Sequence, residues 1–459
     1  MTWRYSAVML PLWHDGVGRP ERDALVGNLE VDVAIIGAGY TGLWTAYYLT
    51  ELDPTLSIAI VESKQVGFGA SGRNGGWCSA QLPWSPAEIE TEHGRKAMDF
   101  IQREMFTTID EVHRVTTVEN IVCDFAKGGI LTSASSPAHV DRLRDEVTSW
   151  HRVGFDNSDM RWLEAHELRH TINLAVTHGG VFSPHCAALQ PFKLVLGLAH
   201  ALERRGVQIF ENSRATVIEA HRVSTPNGSV TARHIVRATE AYTSQSAGHR
   251  RTVVPLYSLM VATEPLPKNV WDKLGWSQRT TFADGRNMVT YAQRTADGRI
   301  AFGGRGAPYH FGSAIHERFD ENRRIHNRLE KTVRELFPQI GDACFTHRWG
   351  GPLAVPRDWH AYATYDPATG LAMGGGYVGD GVALSNLVGR TLGHLIVATD
   401  HPLTRSLLVN HTNKQWEREP WRWLGINGLL ALTELADRRE RRSGRASRAI
   451  LGFRDRVMG

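Results

Sequence analysis

A loop near the N-terminus combines regularly spaced glycines with a following acidic residue, a pattern typical of a dinucleotide site. The loop runs from Gly37 through Gly39, Tyr40 and Thr41 to Gly42 and follows a β-branched stretch. The first glycine permits a tight turn, the second lets the backbone approach a pyrophosphate, and the third lets helix and strand pack closely. The helix N-terminus would present free N–H groups and a partial positive charge to the phosphates.

Glu62 and the adjacent Ser63 lie about twenty residues beyond this loop, where an acidic side chain contacts ribose hydroxyls. The negative charge of Glu62 disfavours a 2′-phosphate, so the pattern argues against NADP. The motif does not by itself separate FAD from NAD. A glycine turn of purely structural use is the alternative, but strand, helix and acidic residue all agree with a binding role.

The next segment is too rich in glycine for a helix and predicts a second binding loop. Its sequence is Gly69-Ala70-Ser71-Gly72-Arg73-Asn74-Gly75-Gly76. Such a backbone can pass closely over a flat ligand. Successive N–H groups, with Ser71, Arg73 and Asn74, are expected to bind phosphate and the polar edge of a flavin. A flexible loop is the alternative.

Predicted strands and helices that would position these loops alternate along the chain, which favours a mostly parallel α/β sheet. The predicted strands are Val31–Ile36, Ser57–Val61, Val207–Phe210 and Leu371–Met373, and the predicted helices are Tyr40–Leu52, Gln190–Arg205 and, approximately, Val382–Ala398. The first strand, the first helix and the second strand form one β-α-β unit.

Segments rich in aromatic residues and turns interrupt this pattern twice. The expected fold class is therefore α/β, with a Rossmann-like domain interleaved with an α+β domain built on a mixed sheet. The expected boundaries are an N-terminal surface arm at 1–28, an FAD-binding domain at 29–100, 190–250 and 351–400, a substrate domain at 101–189 and 251–350, and a helical basic tail at 401–459.

Composition is that of an ordinary globular protein. Of 459 residues, 42% are hydrophobic and 22% charged, and the formal net charge of +4 gives no argument for nucleic-acid binding. The apolar window Val31–Leu49 is explained by the phosphate loop, so no integral membrane segment or signal peptide is expected. Four cysteines without zinc-ligand spacing favour a reducing cytoplasm and no metal site.

Arginines crowd the C-terminal segment at positions 438, 439, 441, 442, 445 and 448. A solvated helical face or a frayed tail is the simplest interpretation of such a charge run. Contact with a membrane surface or an acidic partner is the alternative.

Together, these motifs resemble the FAD-binding signature of the superfamily of D-amino-acid oxidase, glycine oxidase and sarcosine oxidase, and most of all its gamma-glutamylputrescine oxidase-like branch. The resemblance covers nearly the whole chain apart from the C-terminal tail. The similar segments are Val31–Leu49, Glu62, Gly69–Gly76, Leu189–Pro191, Ala238–Thr243, Tyr291–Gly304, Trp349–Pro352 and Gly376–Val382.

The resemblance implies non-covalent FAD extended through a Rossmann-like domain of the glutathione-reductase type. Carried over to this chain, it assigns the pyrophosphate to Gly37, Gly39 and Gly42, the ribose to Glu62, the pyrophosphate and flavin to Ser71, Arg73, Asn74, Gly75 and Gly76, and adenine to Ala215. It places Ala241, Gly350 and Gly351 close to FAD, and Gly379, Gly381 and Val382 at the pyrimidine edge of the flavin.

Three positions depart from the pattern of the family. The sarcosine oxidase branch tethers FAD through a cysteine where this chain has Gly351, and Cys344 lies upstream, so a covalent link is not expected. That branch also has a lysine, associated with oxygen reactivity, at the position of Ala301, which leaves the use of oxygen open. Asp380 stands where many relatives carry histidine.

Flavin performs the difficult step in such enzymes, so the protein mainly orients the substrate. An arginine suits a substrate carboxylate, and an aromatic wall suits an amine. The substrate-facing candidates are Arg305, Arg348, Trp349, His347 and Tyr257, with Tyr291, Tyr309 and His310 in the same aromatic region. A structural role is the alternative for each.

The sequence therefore predicts FAD-dependent oxidation of a C–N bond in a small amine or amino acid, with O2 as electron acceptor. No second G-x-G-x-x-G follows a predicted strand, so a nicotinamide has no obvious site. A dehydrogenase that passes electrons to a quinone or a carrier protein is one alternative. A non-catalytic FAD-binding protein is the other.

Overall fold

The computed structural model describes residues 10–452. The strands in chain order are β1 (Gly27–Ile36), β2 (Ile58–Val61), β3 (Trp77–Ser79), β4 (Ile130–Ser133), β5 (Arg161–Leu163), β6 (Gly180–Ser183), β7 (Cys186–Ala188), β8 (Gln208–Phe210), β9 (Val217–Glu219), β10 (Arg222–Thr225), β11 (Gly228–Arg237), β12 (Val253–Thr263), β13 (Thr281–Asp284), β14 (Thr290–Arg294), β15 (Ile300–Gly304), β16 (Phe345–Pro356), β17 (Tyr362–Asp366) and β18 (Leu371–Gly375). The α-helices are α1 (Tyr40–Leu52), α2 (Pro86–His93), α3 (Arg95–Val118), α4 (Pro137–Arg152), α5 (Ala165–Thr171), α6 (Pro191–Arg204), α7 (Lys268–Leu274), α8 (Arg323–Leu336), α9 (Gly381–Ile396) and α10 (Trp421–Ser443).

One sheet, called here the Rossmann-like sheet, has the order β17–β18–β11–β1–β2–β8, with β10 and β9 attached beside β11. The five neighbours from β18 to β8 run parallel. Their central residues are buried because helices such as α1, α6 and α9 cover the sheet. This arrangement confirms the predicted α/β class, and α1 has the predicted bounds, Tyr40–Leu52.

The mixed sheet has the order β16–β12–β15–β14–β13–β4–β6–β5, and its neighbours are antiparallel except for β13 and β4. Helix α8 packs on one face, against β12 and β15. Residues in register across the sheet form a row on one face, because paired residues of neighbouring strands point to the same side. That row is Trp349, Met260, Gly303, Tyr291, Ala283 and Thr132.

The first described residues of the N-terminal segment pack into the protein. Leu12 and Trp13 are buried. The Trp13 ring meets Trp349 edge-on at 6.0 Å, and its Nε1–H donates to the carbonyl oxygen of Asn74 at 2.8 Å. A buried tryptophan needs both a packing surface and an acceptor, and the glycine-rich loop supplies the acceptor. Residues 1–9 of the expected arm lie outside the described residues.

The C-terminal segment contains α10, a packed helix with an arginine-rich exposed face. Asp437 and Glu440 on its inner face contact the loop between β13 and β14. Arg438, Arg439 and Arg442 are exposed, in agreement with a solvated helical face. Across residues 10–452, no helix combines the length and apolarity needed to cross a membrane.

Candidate functional site

A cavity of about 1600 Å³ lies between the carboxyl ends of β1, β2 and β11 and one face of the mixed sheet. Ligands of α/β sheets bind at such strand ends. Many residues predicted to contact a cofactor line it, from both ends of the chain. These are Gly37, Gly39, Tyr40, Thr41, Glu62, Ser63, Ser71, Arg73, Asn74, Gly75, Ala215, Ala241, Gly351, Gly379, Gly381 and Val382.

The glycine loop brings the N-terminus of α1 to the cavity wall. Gly37 has a φ of +106°, and a Cβ there would lie 2.6 Å from the carbonyl oxygen of Ala238. A Cβ at Gly39 would meet only the Ser71 side chain, at 3.0 Å. Within residues 10–452, the N–H groups of Thr41 and Gly42 have no acceptor. They are therefore available to an anion at the positive end of the helix.

Glu62 holds the phosphate loop in shape. Its Oε2 accepts the Ala38 N–H at 2.9 Å, and its Oε1 accepts the Lys64 N–H at 2.9 Å and the Ser63 hydroxyl at 3.1 Å. Burial raises the pKa of the Glu62 carboxyl, and these hydrogen bonds oppose that shift. The carboxylate thus organises the loop as well as standing where a ribose would bind.

Arg73 connects the glycine-rich loop to the second domain through an ion pair. Its Nη1 lies 2.6 Å from Oδ2 of Asp320, and its Nε donates to the carbonyl oxygen of Phe68 at 2.8 Å. Burial raises the pKa of Asp320 to about 6, while the Arg73 charge opposes that shift. Arg73 lines the cavity as predicted, but its guanidinium fixes the loop against the second domain.

Asn74 and Ser71 are likewise engaged by the protein itself. The Asn74 amide donates to the carbonyl oxygens of Ala70 and Ser71 at 3.1 and 2.9 Å, and its Oδ1 accepts the Gly76 N–H at 2.7 Å. The Ser71 hydroxyl accepts the Tyr40 N–H at 2.9 Å. The side chains expected to bind phosphate therefore shape the loop.

The N-terminus of α9 lines the same cavity as the phosphate loop. Gly379 has a φ of +108°, and Asp380 at the N-cap makes no capping hydrogen bond with its side chain. The Arg305 guanidinium donates to the carbonyl oxygen of Val378. Burial raises the pKa of Asp380 to about 6, and the charge of Arg305 opposes that shift. The region formed by Gly351, Arg305 and residues 379–382 is called the flavin end below.

Glu240 connects three distant segments beside the flavin end. Its backbone has a φ of +40°, unusual for a residue other than glycine. Its Oε2 accepts the Ala354 N–H at 2.8 Å, and its Oε1 accepts the N–H groups of Gly376 and Tyr377 at 3.2 and 3.3 Å. Burial raises its pKa to about 7, against the effect of these hydrogen bonds.

Three glycines from the predicted cofactor set do not line the cavity. Gly42 packs helix against turn, since a Cβ there would lie 2.1 Å from the Gly37 carbonyl oxygen. A Cβ at Gly76 would lie 2.1 Å from the side chain of Gln293, and one at Gly350 would lie 2.2 Å from that of Leu259. Close packing against the protein explains glycine at these positions.

Of the five predicted substrate-facing residues, His347, Arg348 and Trp349 do not line the cavity. Arg348 points to the face of the mixed sheet that α8 covers, where its Nε donates to Glu330 at 2.7 Å. His347 pairs with Asp15 at 3.0 Å. Trp349 is buried, and its Nε1–H donates to the carbonyl oxygen of Arg73 at 2.8 Å.

Tyr257 and Arg305 do line the cavity, together with Tyr291. The Tyr257 hydroxyl accepts the His316 N–H at 3.1 Å, and burial raises the pKa of Tyr257 to about 12. The Tyr291 hydroxyl lies 2.8 Å from that of Ser258. The Tyr291 ring leaves no room for a Cβ at Gly75 or Gly303, which would lie 2.6 and 2.3 Å from it.

Sequence reasoning missed the roles of Glu240 and Asp320. Glu240 lies three residues after the end of β11 in a segment of small residues, and a charged side chain there was a usable signal. Asp320 carries no local signal, because its importance comes from the ion pair with Arg73 across the domain boundary.

The cavity fits an extended dinucleotide. Free N–H groups at the start of α1 and the uncapped start of α9 both suit negative charge. Ala215 lines the cavity beyond Glu62, where an adenine would lie. At Gly39 only one side chain limits the space for a Cβ, so glycine there leaves part of the cavity open. These residues would hold the pyrophosphate, the ribose and the pyrimidine edge of FAD.

Comparison with known proteins agrees with this geometry. Residues 32–395 match the model of the DAO family, described as FAD dependent oxidoreductase. The chain is 28% identical over 385 residues to the probable oxidoreductase OrdL of Haemophilus influenzae, covering 82% of this chain and 85% of that protein. It is 26% identical over 380 residues to gamma-glutamylputrescine oxidoreductase of Escherichia coli, with the same coverages.

Among solved structures, glycine oxidase from Geobacillus kaustophilus has a similar fold. It superposes with a TM-score of 0.67 at 22% identity, covering 84% of this chain and 100% of that one. The likeness is one of overall fold.

Proposed function

This chain belongs to the DAO family of FAD-dependent oxidoreductases, and we propose that it oxidises a C–N bond in a small amine or amino acid. Bound FAD supplies the acceptor for the hydride that leaves the carbon beside nitrogen. Water then hydrolyses the resulting imine to an aldehyde or keto acid and an amine. We further propose that O2 takes up the electrons and is released as H2O2.

The observation that carries the proposal is the meeting of two helix N-termini with a mixed polar and aromatic wall in one cavity. The starts of α1 and α9 suit the cofactor, while Tyr257, Tyr291 and Arg305 form a wall beside the flavin end. Relatives named for an amine and for glycine support a substrate with a C–N bond.

The side chains of this wall orient the substrate and do not need to remove a proton. Tyr257 keeps its proton at neutral pH because burial raises its pKa to about 12, so it donates or accepts hydrogen bonds without acting as a base. The substrate must therefore arrive as the neutral amine, whose lone pair assists loss of hydride. Arg305 retains donors that could bind a substrate carboxylate, besides the one given to Val378.

The cysteines support two further parts of the proposal, non-covalent FAD and a cytoplasmic location. All four are free thiols. Cys344 is exposed and does not line the cavity, and the other three are buried away from it. Acid precipitation should leave yellow FAD in the supernatant. Flavin in the denatured pellet would refute non-covalent binding.

The decisive test of the reaction is bleaching of the bound flavin under anaerobic conditions. Primary and secondary amines, N-methyl amino acids, acylated polyamines and D-amino acids form the panel. An amine should bleach the flavin, with a rate that rises with pH through the pKa of that amine. Rapid bleaching by NADH with no response to the panel would point instead to a reductase.

A dehydrogenase is the second candidate, favoured by Ala301. This residue is fully buried in β15, where the sarcosine oxidase branch has a lysine associated with oxygen reactivity. Admitting air to the amine-reduced enzyme separates the two. Fast reoxidation with H2O2 supports the oxidase, and slow reoxidation that a quinone accelerates supports the dehydrogenase. Absence of bleaching by any substrate would leave a non-catalytic FAD-binding protein.

A further inference from the structure

The cavity continues well past the flavin end, along the face of the mixed sheet. Met260, Tyr291, Ala283 and Thr132 belong to the in-register row and all line it. Neighbouring strands lie about 4.8 Å apart, so Thr132 is about 10 Å beyond Tyr291, and about 19 Å beyond Met260. Ala283 and Thr132 are small, which leaves a channel rather than a filled core.

We call the far end of this channel the outer lobe. Its walls come from the mixed sheet with its β13–β14 loop and from α4. They are Thr132, Ala283, Asp284, Gly285, Arg286, Arg142, Leu143 and Glu146. Since the outer lobe and the flavin end belong to one cavity, one elongated molecule can occupy both.

Around the outer lobe, two carboxylates form ion pairs with arginines, whereas the carboxylate of Glu146 does not. Arg286 pairs with Asp284 at 3.1 Å, and Arg142 pairs with Glu440 at 3.4 Å. Glu146 has no hydrogen bond and no ion pair within 4.0 Å anywhere in the described part of the chain, although its side chain lines the cavity.

Other charges behind the lobe also favour a cation. Asp437 of α10 accepts the backbone N–H groups of Asn287 and Met288, each at 2.9 Å, without a cationic partner within 4.0 Å in residues 10–452. His139, 3.8 Å from Asp284, is neutral because burial lowers its pKa to about 3. Burial raises the pKa of the Glu146 carboxyl, and the charge of Arg142 opposes that shift. A cationic group bound beside Glu146 would favour its charged form further.

We propose that the outer lobe binds the distal ammonium group of an elongated amine substrate through Glu146. The amine that is oxidised lies at the flavin end, and an apolar stem runs over Tyr291 and Ala283 between them. The substrate class is thus an amine with a second positive charge several carbons away, such as a diamine or a polyamine derivative. This inference rests on the proposed amine oxidation for the position of the reacting nitrogen.

The test compares diaminohexane with hexylamine, which share the same carbon chain and differ in the distal ammonium. Calorimetric titration of the full-length, FAD-loaded protein in its oxidised form gives both dissociation constants without turnover. The wild type should bind diaminohexane at least about tenfold more tightly, as expected for a charge-assisted hydrogen bond. Glu146→Gln should abolish this preference and leave hexylamine binding unchanged.

Asp145→Asn is the matched control, since Asp145 is the exposed neighbour of Glu146 on α4 and does not line the cavity. It should retain the full preference. Equal binding of the two amines by the wild type would overturn the proposal even if Glu146→Gln failed to fold. An unchanged preference in Glu146→Gln would overturn it as well.

Failure of the two proposals can be told apart. If no amine bleaches the flavin but diaminohexane still binds in a Glu146-dependent way, the assignment of the outer lobe stands and amine oxidation is wrong. If amines bleach the flavin without any Glu146-dependent preference, amine oxidation stands and the role of the outer lobe is wrong.

Discussion

The flavin end and the outer lobe share one cavity but are built in different ways. The cofactor region uses glycines and backbone N–H groups at two helix N-termini, and its first part lies within residues 37–62. The outer lobe uses side chains from β4, α4, β13 and the β13–β14 loop, and α10 supports that loop from behind. The phosphate loop is therefore encoded locally, whereas the outer lobe depends on tertiary assembly.

The largest expected effect is a loss of FAD affinity, caused by a substitution in the cofactor region. Gly39→Val should weaken FAD binding at least about a hundredfold, because its side chain must enter the space at the start of α1. Fluorescence titration of the apoprotein with FAD measures this. Gly425→Val, at a site with nothing within 4 Å of a new Cβ, is the control and should bind FAD normally. Normal affinity in Gly39→Val would show that the pyrophosphate lies elsewhere.

A smaller effect is expected from Glu62→Gln. Loss of a charged acceptor should weaken FAD binding by about 1.5–3 kcal/mol, or roughly ten- to a hundredfold. Part of the loss comes through the loop, because Glu62 also accepts the N–H groups of Ala38 and Lys64. The same titration applies, with Glu30→Gln as the control, since Glu30 is exposed and does not line the cavity. Unchanged affinity would show that the Glu62 carboxylate does not bind the ribose.

A substitution behind the outer lobe should weaken substrate binding without changing the affinity for FAD. Asp437→Ala removes the acceptor for the N–H groups of Asn287 and Met288 and should loosen the β13–β14 loop. We expect KM for the best substrate to rise about tenfold, the loss of one or two hydrogen bonds, with FAD affinity unchanged. Arg439→Ala on the exposed face of α10 is the control. A parallel loss of FAD affinity would contradict the separation of the two regions.

The smallest effect is a pH dependence that arises beside the flavin end. Glu240 has a pKa of about 7 in the folded protein and an ordinary value of 4.5 when unfolded. Between these values the folded state holds a proton that the unfolded state has lost, so stability falls as pH rises and then levels off. Solvent in the cavity moderates the change to about 1 kcal/mol.

Urea unfolding of the apoprotein, whose cavity holds solvent, measures this dependence from about pH 5 to about pH 8. The difference in unfolding free energy between wild type and Glu240→Gln isolates the contribution of the carboxyl. A difference that rises with pH would show that folding lowers the pKa of Glu240, contrary to the assigned direction.

Local patterns were enough to predict the first β-α-β unit and the phosphate loop. The strand, glycine turn and helix are consecutive, so periodicity and spacing define α1 and place Glu62 near the loop. The α/β class followed from the same alternation. Residues whose role depends on the backbone were therefore accessible from sequence.

Substrate-facing residues were predicted less well because sheet register decides them. Arg305 and Arg348 looked equivalent in sequence, yet strand alternation turns Arg348 towards α8 and Glu330. Trp13 gave no periodic signal, although it is buried against Trp349. Glu146 belongs to an ordinary helical pattern, and only the fold places it at a cavity. These assignments required the pairing of distant strands.

The three hydrogen bonds of Glu240 have a consequence for biosynthesis. Its acceptors reach Ala354 and Gly376, which lie 114 and 136 residues further along the chain. During translation, the phosphate loop cannot pack fully before Ala238 is made, because Gly37 lies against its carbonyl group, and the flavin end must await α9. The complete cofactor site can therefore form only after these distant segments have been synthesised. Maturation of the holoenzyme is therefore gated by synthesis of its last third.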